Sequence, residues 1–208
     1  MRRTNRFLFL LGLSYVLYSV VSIEIAAAET VSPELGLHAA AKLGDVARVE
    51  QLLDNGVDVD LTAGRSGATA LHTAASKGRK NVVKLLIKRG ADVNALTDSD
   101  FAPIHLVAGR PPSGIASPSR AVVTLRIGKG RRKEPTAKER QETAYLLVKN
   151  GAEVNIRSKK GLTPLHVAAA NGARTIAFIL LNSGANVDPK GPGRVTPLQM
   201  AAASGHAG

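Results

Sequence analysis

A regular internal period restricts the possible folds of this chain more than any other feature. A leucine or isoleucine, followed in most cases by histidine, recurs about every 33 residues, apart from one longer interval. Periods of about 20 to 50 residues are typical of repeat proteins, in which one short structural unit stacks on the next. The second members of these pairs are His38, His72, His105, His166 and Gln199.

A second marker, a glycine that follows a leucine-rich run, gives the same period independently. These glycines are Gly56, Gly90, Gly151 and Gly184, and their spacing again shows one long interval between short ones. Both markers place the long interval in the third unit, where it exceeds the other intervals by 28 residues. We therefore predict a single insertion, roughly residues 109–137, between the two helices of that unit.

Each unit has the pattern of two short amphipathic helices. In the second unit, Thr69 can cap a first helix that ends at Gly78 and carries Leu71, Ala74 and Ala75 on one face. A second helix follows and ends before Gly90, which suits a left-handed backbone. Its apolar face is too wide to remain in water, with Val82, Val83, Leu85, Leu86 and Ile87.

Neither helix of a unit can bury its apolar face alone, so successive units have to stack. We predict an all-α helix-turn-helix solenoid with short β-turn fingers between its units. It contains four repeats and a truncated fifth, at residues 33–66, 67–99, 100–160, 161–193 and 194–208.

Two stretches of this chain resemble the diagnostic motifs of ankyrin repeats. They are Thr163-Pro164-Leu165-His166-Val167-Ala168-Ala169 and Gly151-Ala152-Glu153-Val154-Asn155. The resemblance covers residues 33–208 apart from the insertion, with several motifs in the correct order and spacing. It implies an L-shaped helix pair in each repeat, a β-turn finger between repeats and a concave face that binds partners. It also implies that each histidine hydrogen-bonds backbone in the adjoining turn.

The fingers are expected where one unit passes to the next. Their centres are residues 64–66, 97–99, 158–160 and 190–192. Asp100 and Arg194 stand where Gly67 and Gly161 indicate glycine, and aspartate tolerates a left-handed backbone better than arginine does. Candidate partner-binding residues on the finger tips and helix face are Arg65, Lys77, Asp98, Lys159, Lys160 and Lys190.

The sequence does not favour catalysis or a metal site. The chain has no cysteine, and four of its five histidines fall at one repeat position. Stacked helices lie about 8 to 10 Å apart, which is too far for shared coordination at about 2 Å. No serine-hydrolase, phosphate-loop or zinc-protease motif is found. We therefore expect no cofactor, no metal, no small-molecule substrate and no enzymatic activity.

The segment before Glu29 reads as a targeting segment. Arg2, Arg3 and Arg6 precede an uncharged apolar run at residues 7–23, and Ala26-Ala27-Ala28 matches a cleavage site. Cleavage after Ala28 would make the protein exported, to the periplasm or the outside. The apolar run also reaches the lower limit for a membrane span, about 17 residues, so an uncleaved anchor is the alternative.

The insertion concentrates positive charge. Its first part, from Pro111 to Ser119, has a linker composition, and Val123, Leu125 and Ile127 alternate with polar residues as in a short strand or hairpin arm. Residues 109–140 carry a surplus of seven positive charges, out of a formal net charge of +12 for the chain. Basic residues of this loop include Arg126, Lys129, Arg131, Arg132 and Lys133.

Two functions from different classes follow. The first is an exported scaffold that binds another protein through its fingers and concave face. The alternative is an anionic-surface binder that uses the basic loop to hold acidic polysaccharide, lipid headgroups or nucleic acid. Secretion would argue against nucleic acid as the ligand. A solvated insertion without a function explains the loop equally well, because long surface loops cost little entropy. The half repeat at 194–208 leaves apolar surface on the fourth repeat, which would permit dimerisation there.

Overall fold

The computed structural model describes residues 33–112 and 135–206. The predicted signal peptide or anchor, the predicted strand at Val123, Leu125 and Ile127, and the basic loop residues Arg126, Lys129, Arg131, Arg132 and Lys133 lie outside this range. Within it, the longest helix has 13 residues, and no helix is long and apolar enough to cross a bilayer.

The described part of the chain is mostly helical, which confirms the predicted all-α class. Its helices are α1 Pro33–Leu43, α2 Val46–Asp54, α3 Ala70–Ser76, α4 Lys80–Lys88, α5 Pro103–Val107, α6 Ala137–Lys149, α7 Pro164–Ala170, α8 Arg174–Asn182 and α9 Pro197–Ala203. Strand β1 Thr62–Ala63 pairs antiparallel with β2 Ala68–Thr69, and 3-10 turns span Gly64–Ser66 and Pro192–Arg194.

The helices form two stacked rows. The inner row consists of α1, α3, α5, α7 and α9, and each of these helices packs on the next. The outer row consists of α2, α4, α6 and α8, which pack in the same order, and each outer helix also packs on the inner helix before it. The described residues thus contain four helix pairs followed by the single helix α9. The boundaries of the repeats stay predictions.

The core runs along the stack between the two rows. In the second pair, Leu71, Ala74 and Ala75 of α3 are fully buried, as their spacing predicts. On α4 the predicted apolar face is buried except at Ile87, which is half-buried. Alanines recur on the inner helices, and their small side chains let neighbouring repeats approach closely. Each fully buried Leu or Val contributes about 1.5 to 3 kcal/mol.

Local sequence sets where most helices begin and end. Thr69 caps α3 as predicted, with its hydroxyl accepting from the backbone N–H of His72 at 3.5 Å. Helix α6 begins at a capping box, in which Thr136 N–H donates to Glu139 Oε2 at 2.7 Å and Glu139 N–H donates to Thr136 Oγ1 at 3.2 Å. Gly78 and Gly90 adopt positive φ values of 59° and 88° beyond α3 and α4.

The start of the predicted insertion is packed against the fourth repeat, which the linker composition of this stretch did not indicate. Asn171 Nδ2 donates to the carbonyl of Arg110 at 2.8 Å, and Pro111 is buried. A Cβ on Gly109 would lie 2.5 Å from Asn171 Cγ, so only glycine fits there. The linker composition predicted a disordered segment from Pro111 onward, and Pro111 itself is buried, so that prediction is wrong for this residue.

Candidate interaction surface

Histidine side chains attach each of the first four inner helices, α1, α3, α5 and α7, to the following finger. The ring atom Nε2 lies 2.9 Å from Ala68 O for His38, 2.8 Å from Phe101 O for His72, and 3.1 Å from Leu162 O for His105. His166 makes the same contact with Val195 O at 3.1 Å. These bonds confirm the role that the resemblance implied for the repeated histidine.

The other ring nitrogen decides which form the buried histidines adopt. Thr69 N–H donates to Nδ1 of His72 at 3.1 Å, and Ala102 N–H donates to Nδ1 of His105 at 3.2 Å. Because Nδ1 accepts and Nε2 faces a carbonyl, the geometry requires a neutral ring with its hydrogen on Nε2. Burial lowers the pKa of His72 and of His105 to about 4, which keeps both rings neutral at ordinary pH.

Each finger closes on itself through the backbone. Thr97 N–H donates to Phe101 O at 3.1 Å, Ser158 N–H to Leu162 O at 2.9 Å, and Gly191 N–H to Val195 O at 2.9 Å. In the first finger, the β1–β2 pairing provides the same closure. The hydroxyl groups of Thr97 and Ser158 also accept from Phe101 N–H and Leu162 N–H, at 3.1 and 3.2 Å. The fingers are thus ordered by hydrogen bonds that do not depend on their tips.

In all four fingers, the residue at the position of Gly67 has a left-handed backbone. Gly67 and Gly161 have φ values of 60° and 76°, and the two replacements, Asp100 and Arg194, have 55° and 62°. The non-glycine residues therefore accept the conformation that the pattern requires. A left-handed backbone costs a non-glycine residue about 1 to 2 kcal/mol.

Neighbouring fingers are joined into one continuous edge. Asp98 N–H donates to Ser66 O at 3.0 Å, and Lys159 N–H donates to Ser99 O at 3.1 Å. Arg157 Nη1 donates to Lys190 O at 2.8 Å, which links the third finger to the fourth. We call this edge, residues 64–67, 97–100, 157–161 and 190–194, the finger surface.

Five of the six predicted partner-binding residues lie exposed on the finger surface: Arg65, Asp98, Lys159, Lys160 and Lys190. Lys159 is also engaged within it, because its Nζ donates to the carbonyl of Asp98. Lys77 lies apart from the other five. It is half-buried at the C-cap of α3, the end of the inner helix that is opposite to the fingers.

Charge is unevenly distributed over the finger surface. The first finger carries Arg65, and the second carries Asp98 and Asp100. The third and fourth fingers, residues 157–161 and 190–194, contain five basic residues and no acidic one. Beside the fingers, the inner helices present a strip of small or apolar side chains that are half-buried: Thr73, Ser76, Leu106, Ala170 and Met200.

A cleft of about 310 Å³ lies at the end of the helices away from the fingers. It is lined by the turns after α1 and α3 and by Glu139 and Glu142 of α6. Lys80 Nζ donates to Glu142 Oε2 at 2.7 Å, and this bond lowers the pKa of the Glu142 carboxyl. The carboxylate is therefore ionised and paired, which does not suit a general acid. In the described ranges, no group of three or more histidine or acidic side chains could hold a metal ion.

Sequence reasoning missed several surface residues. Arg157 belongs to the finger surface but was not predicted there, and reading every finger at equivalent positions would have found it. Arg194 was placed in the last finger from the sequence but was not predicted to bind a partner. Tyr145 and Phe178 are exposed on the outer helices, by 60% and 64% of their surface. Aligning the outer helices would have shown both aromatic residues at the position that Glu50 and Lys84 occupy in the first two repeats.

Known proteins provide independent comparisons. An ankyrin repeat protein of fowlpox virus is 30% identical over 133 residues, or 62% of this chain and 18% of the viral protein. The human ankyrin repeat and SOCS box protein 16 is 33% identical over 139 residues, 66% of this chain and 24% of that protein. A palmitoyltransferase of Naumovozyma castellii is 49% identical over 69 residues, 32% of this chain and 9% of the enzyme. This chain thus spans less than a quarter of each relative.

The family comparison covers most of the chain. The model described as ankyrin repeats, three copies, matches residues 23–109 and 136–208. The matched segments include every helix of the described structure and all four fingers. On the strength of this match, the histidine-linked fingers and the two stacked rows of helices, the chain belongs to the ankyrin repeat family.

Proposed function

We propose that this protein binds another protein through the finger surface and the adjoining strip of the inner helices. Ankyrin repeats generally mediate protein–protein interaction, which supports binding as the class of function. The observation that carries the proposal is the finger surface itself. Its backbone is held by hydrogen bonds to neighbouring fingers and to buried histidines, while its tips remain exposed. A pre-ordered edge loses little entropy when a partner binds.

The charge of the fingers favours an acidic partner segment at the third and fourth repeats. Lys160, Lys190 and Arg194 are exposed there, and the adjoining inner helices offer apolar contact through Leu106 and Met200. Complementary charge speeds association and selects against basic partners. We propose a binding role without catalysis, although the relatives include enzymes in which a matching segment covers only a small part of the protein.

A random peptide library displayed on phage tests this proposal against the purified full chain. We expect the selected peptides to be enriched in Asp and Glu, and to bind at least about tenfold more weakly to the variant Lys160→Glu with Lys190→Glu. The matched control is Arg48→Glu with Lys138→Glu, which makes the same change in net charge on the outer helices. Selected peptides that bind both variants equally well would contradict the use of the fingers.

The charge surplus of the insertion supports a second candidate, an anionic-surface binder. Arg126, Lys129 and the run Arg131–Lys133 would attract acidic polymers through charge alone. The test uses heparin as the probe and a variant in which residues 113–134 are replaced by a short Gly-Ser turn. Loss of heparin binding in the variant, together with a steep fall of affinity with salt in the wild type, would support this function. Heparin binding that survives the replacement would reject it.

We also propose that the protein is exported. Residues 2–28 have the basic, apolar and small-residue parts of a signal peptide, and retention of residues 7–23 as an anchor is the alternative. The N-terminal residue of the mature protein distinguishes the two, since Glu29 at the start indicates cleavage. An intact N-terminus in the membrane fraction would indicate an anchored repeat domain.

A further inference from the structure

The outer helices of the third and fourth repeats expose aromatic side chains at one stacked position. The chain has seven aromatic residues, of which four lie in residues 1–28. Of the other three, Phe101 is buried, while Tyr145 on α6 and Phe178 on α8 are exposed by 60% and 64%. They stand one repeat apart in the sequence, and α6 packs against α8. The two rings thus occupy neighbouring places on the outer surface.

Their position is a solvent position of the repeat rather than part of the core. The same place is filled by Glu50 on α2 and Lys84 on α4, both exposed. The core contacts of these helices are made by other positions, at Ala144, Leu147, Ile176 and Leu180, so most of each ring lies outside the packing between repeats. Leu181, one turn further along α8, is 40% exposed and extends the apolar area. We name Tyr145, Phe178 and Leu181 the outer aromatic patch.

Basic side chains surround the outer aromatic patch. Lys84 and Lys88 are exposed on α4, Lys149 is exposed one turn after Tyr145, and Arg174 is exposed one turn before Phe178. Two acidic residues of the outer row are ion-paired, Glu142 with Lys80 at 2.7 Å and Glu50 with Arg89 at 3.0 Å. The patch therefore combines an apolar centre with a positive rim.

We propose that the outer aromatic patch is a second docking site, which binds a protein segment with apolar side chains on one face and carboxylates beside them. Aromatic residues are enriched at the centres of protein interfaces, where a few anchors contribute most of the affinity. The positive rim selects an acidic partner and disfavours a second copy of this chain, because two copies face to face would bring their lysines together. Leu181 is aliphatic, so it can contact apolar side chains of a protein partner. It offers no polar group to a nucleic-acid base or a lipid headgroup, which favours a protein segment as the occupant.

This site is independent of the finger surface. The fingers project from the ends of the inner helices, whereas Tyr145 and Phe178 lie on the outer row, which packs on the other side of the core. A partner on the outer aromatic patch would leave the fingers open, so one chain could hold two partners. Failure of either proposal leaves the other intact.

The test measures fluorescence anisotropy of a labelled peptide of about 18 residues, long enough for a marginal helix, titrated with the full chain. Its Leu residues follow the helical period and its other residues are Glu. We expect a dissociation constant between about 1 and 100 µM. A peptide of the same composition without the apolar face, and a Leu-Lys peptide with that face, should both bind at least about tenfold more weakly.

The decisive variant is Tyr145→Lys with Phe178→Lys. Lys84 shows that lysine is accepted at this position, and the change adds two positive charges while it removes both rings. We expect binding of the Leu-Glu peptide to fall at least about tenfold despite the added charge. Tyr145→Phe should retain binding, and Lys160→Glu with Lys190→Glu should leave it unchanged. Circular dichroism and urea midpoints verify that each variant is folded.

Three outcomes would overturn the proposal. The first is no binding of the Leu-Glu peptide up to about 1 mM, and the second is equal or tighter binding by the lysine variant, which would mean attraction by charge alone. The third is another occupant. The probes are vesicles with about a third of anionic lipid and single-stranded DNA. Either would replace the protein segment as the occupant if it binds the wild type more tightly than the peptide does and no longer binds the lysine variant. Sedimentation at increasing protein concentration tests for a second copy of the chain. Self-association that is lost in the lysine variant would make that copy the occupant.

Discussion

An asparagine that recurs at one repeat position joins the turns of successive repeats. Its side chain hydrogen-bonds to the backbone of the next turn. Asn94 Nδ2 donates to Gly151 O at 3.0 Å and its Oδ1 accepts from Glu153 N–H at 2.8 Å. Asn155 repeats this pair of bonds with the turn of the fourth repeat. An amide suits the position because it donates and accepts at once.

The first repeat departs from this arrangement. Asp60 stands at the equivalent position and accepts from Asp92 N–H at 3.1 and 3.2 Å, but an ionised carboxylate has no hydrogen to donate. Burial raises the pKa of the Asp60 carboxyl, and the charges of Asp92 and Asp58 add to this effect. A raised pKa in the folded state means that ionisation destabilises the fold as pH rises above the ordinary carboxyl range.

Replacing Asp60 by Asn should therefore stabilise the protein. We expect a gain of about 0.5 to 1.5 kcal/mol at pH 7, because the amide can donate to the carbonyl of Gly90 and removes a charge. Urea unfolding at pH 7 and at pH 3.5 measures it, and the gain should shrink at the lower pH, where Asp60 is protonated. Asn94→Asp serves as the matched control and should destabilise. A gain that is equal at both pH values would contradict the electrostatic part of this explanation.

At the scale of elements, the histidines connect a helix of one repeat to the finger that follows it. Both ring nitrogens of His72 and His105 are used, one as acceptor from the helix start and one toward the next finger. Protonation would place a hydrogen on Nδ1, where the backbone N–H at the start of the same helix already points, so the bond that closes the helix start would be lost. The same buried histidines that hold the fingers in place therefore make the fold sensitive to acid.

The fold should lose stability as pH falls from 7.5 to 5. The unfolded chain binds protons at an ordinary histidine pKa of about 6.5, whereas His72 and His105 in the folded state do so only near 4. Stability is therefore complete above the unfolded pKa and declines below it, by an amount on the order of 2 to 4 kcal/mol at pH 5. Urea unfolding across this range measures the decline.

The variant with glutamine in place of both His72 and His105 is the control for this decline. Glutamine fits the position, since Gln199 Oε1 accepts from Thr196 N–H at 2.8 Å in the last repeat. We expect the variant to be less stable at pH 7.5 and to vary much less between pH 7.5 and 5. An unchanged pH dependence in the variant would assign the acid sensitivity to other groups.

At the scale of the molecule, burial depends on the position of a repeat in the stack. The segments 163–165 and 196–198 have the same sequence, Thr-Pro-Leu, and each begins an inner helix at its proline. Leu165 is 5% exposed, because helices lie on both sides of α7, whereas Leu198 on α9 is 75% exposed. In the described residues, α9 packs on α7 on one side only.

Truncating these two leucines should have very different costs. Leu165→Ala removes a buried side chain and should destabilise by about 2 to 5 kcal/mol, while Leu198→Ala should change stability by less than about 0.5 kcal/mol. Urea midpoints of the two variants, compared with the wild type, provide the measurement. Similar costs for both variants would mean that Leu198 is covered in solution by some other surface.

Much of the fold and part of the surface followed from the sequence alone. The period placed the helices, because apolar residues at helical spacing and glycines after them need no tertiary context. It also placed the fingers, with Arg65, Asp98 and Lys160 at their exposed tips, and the histidine position that anchors them. These features are local, so equivalent sequences in different repeats form equivalent structures.

Only the tertiary structure decided what depends on contacts between distant segments. It joined Arg110 to Asn171 of the fourth repeat, linked Arg157 to the carbonyl of Lys190, and left Leu198 largely uncovered on α9. Leu165 and Leu198 show the physical reason, because the same Thr-Pro-Leu sequence leaves one leucine 5% exposed and the other 75% exposed. A repeated motif determines its own helix, but the exposure of its side chains is set by whichever neighbours the stack provides.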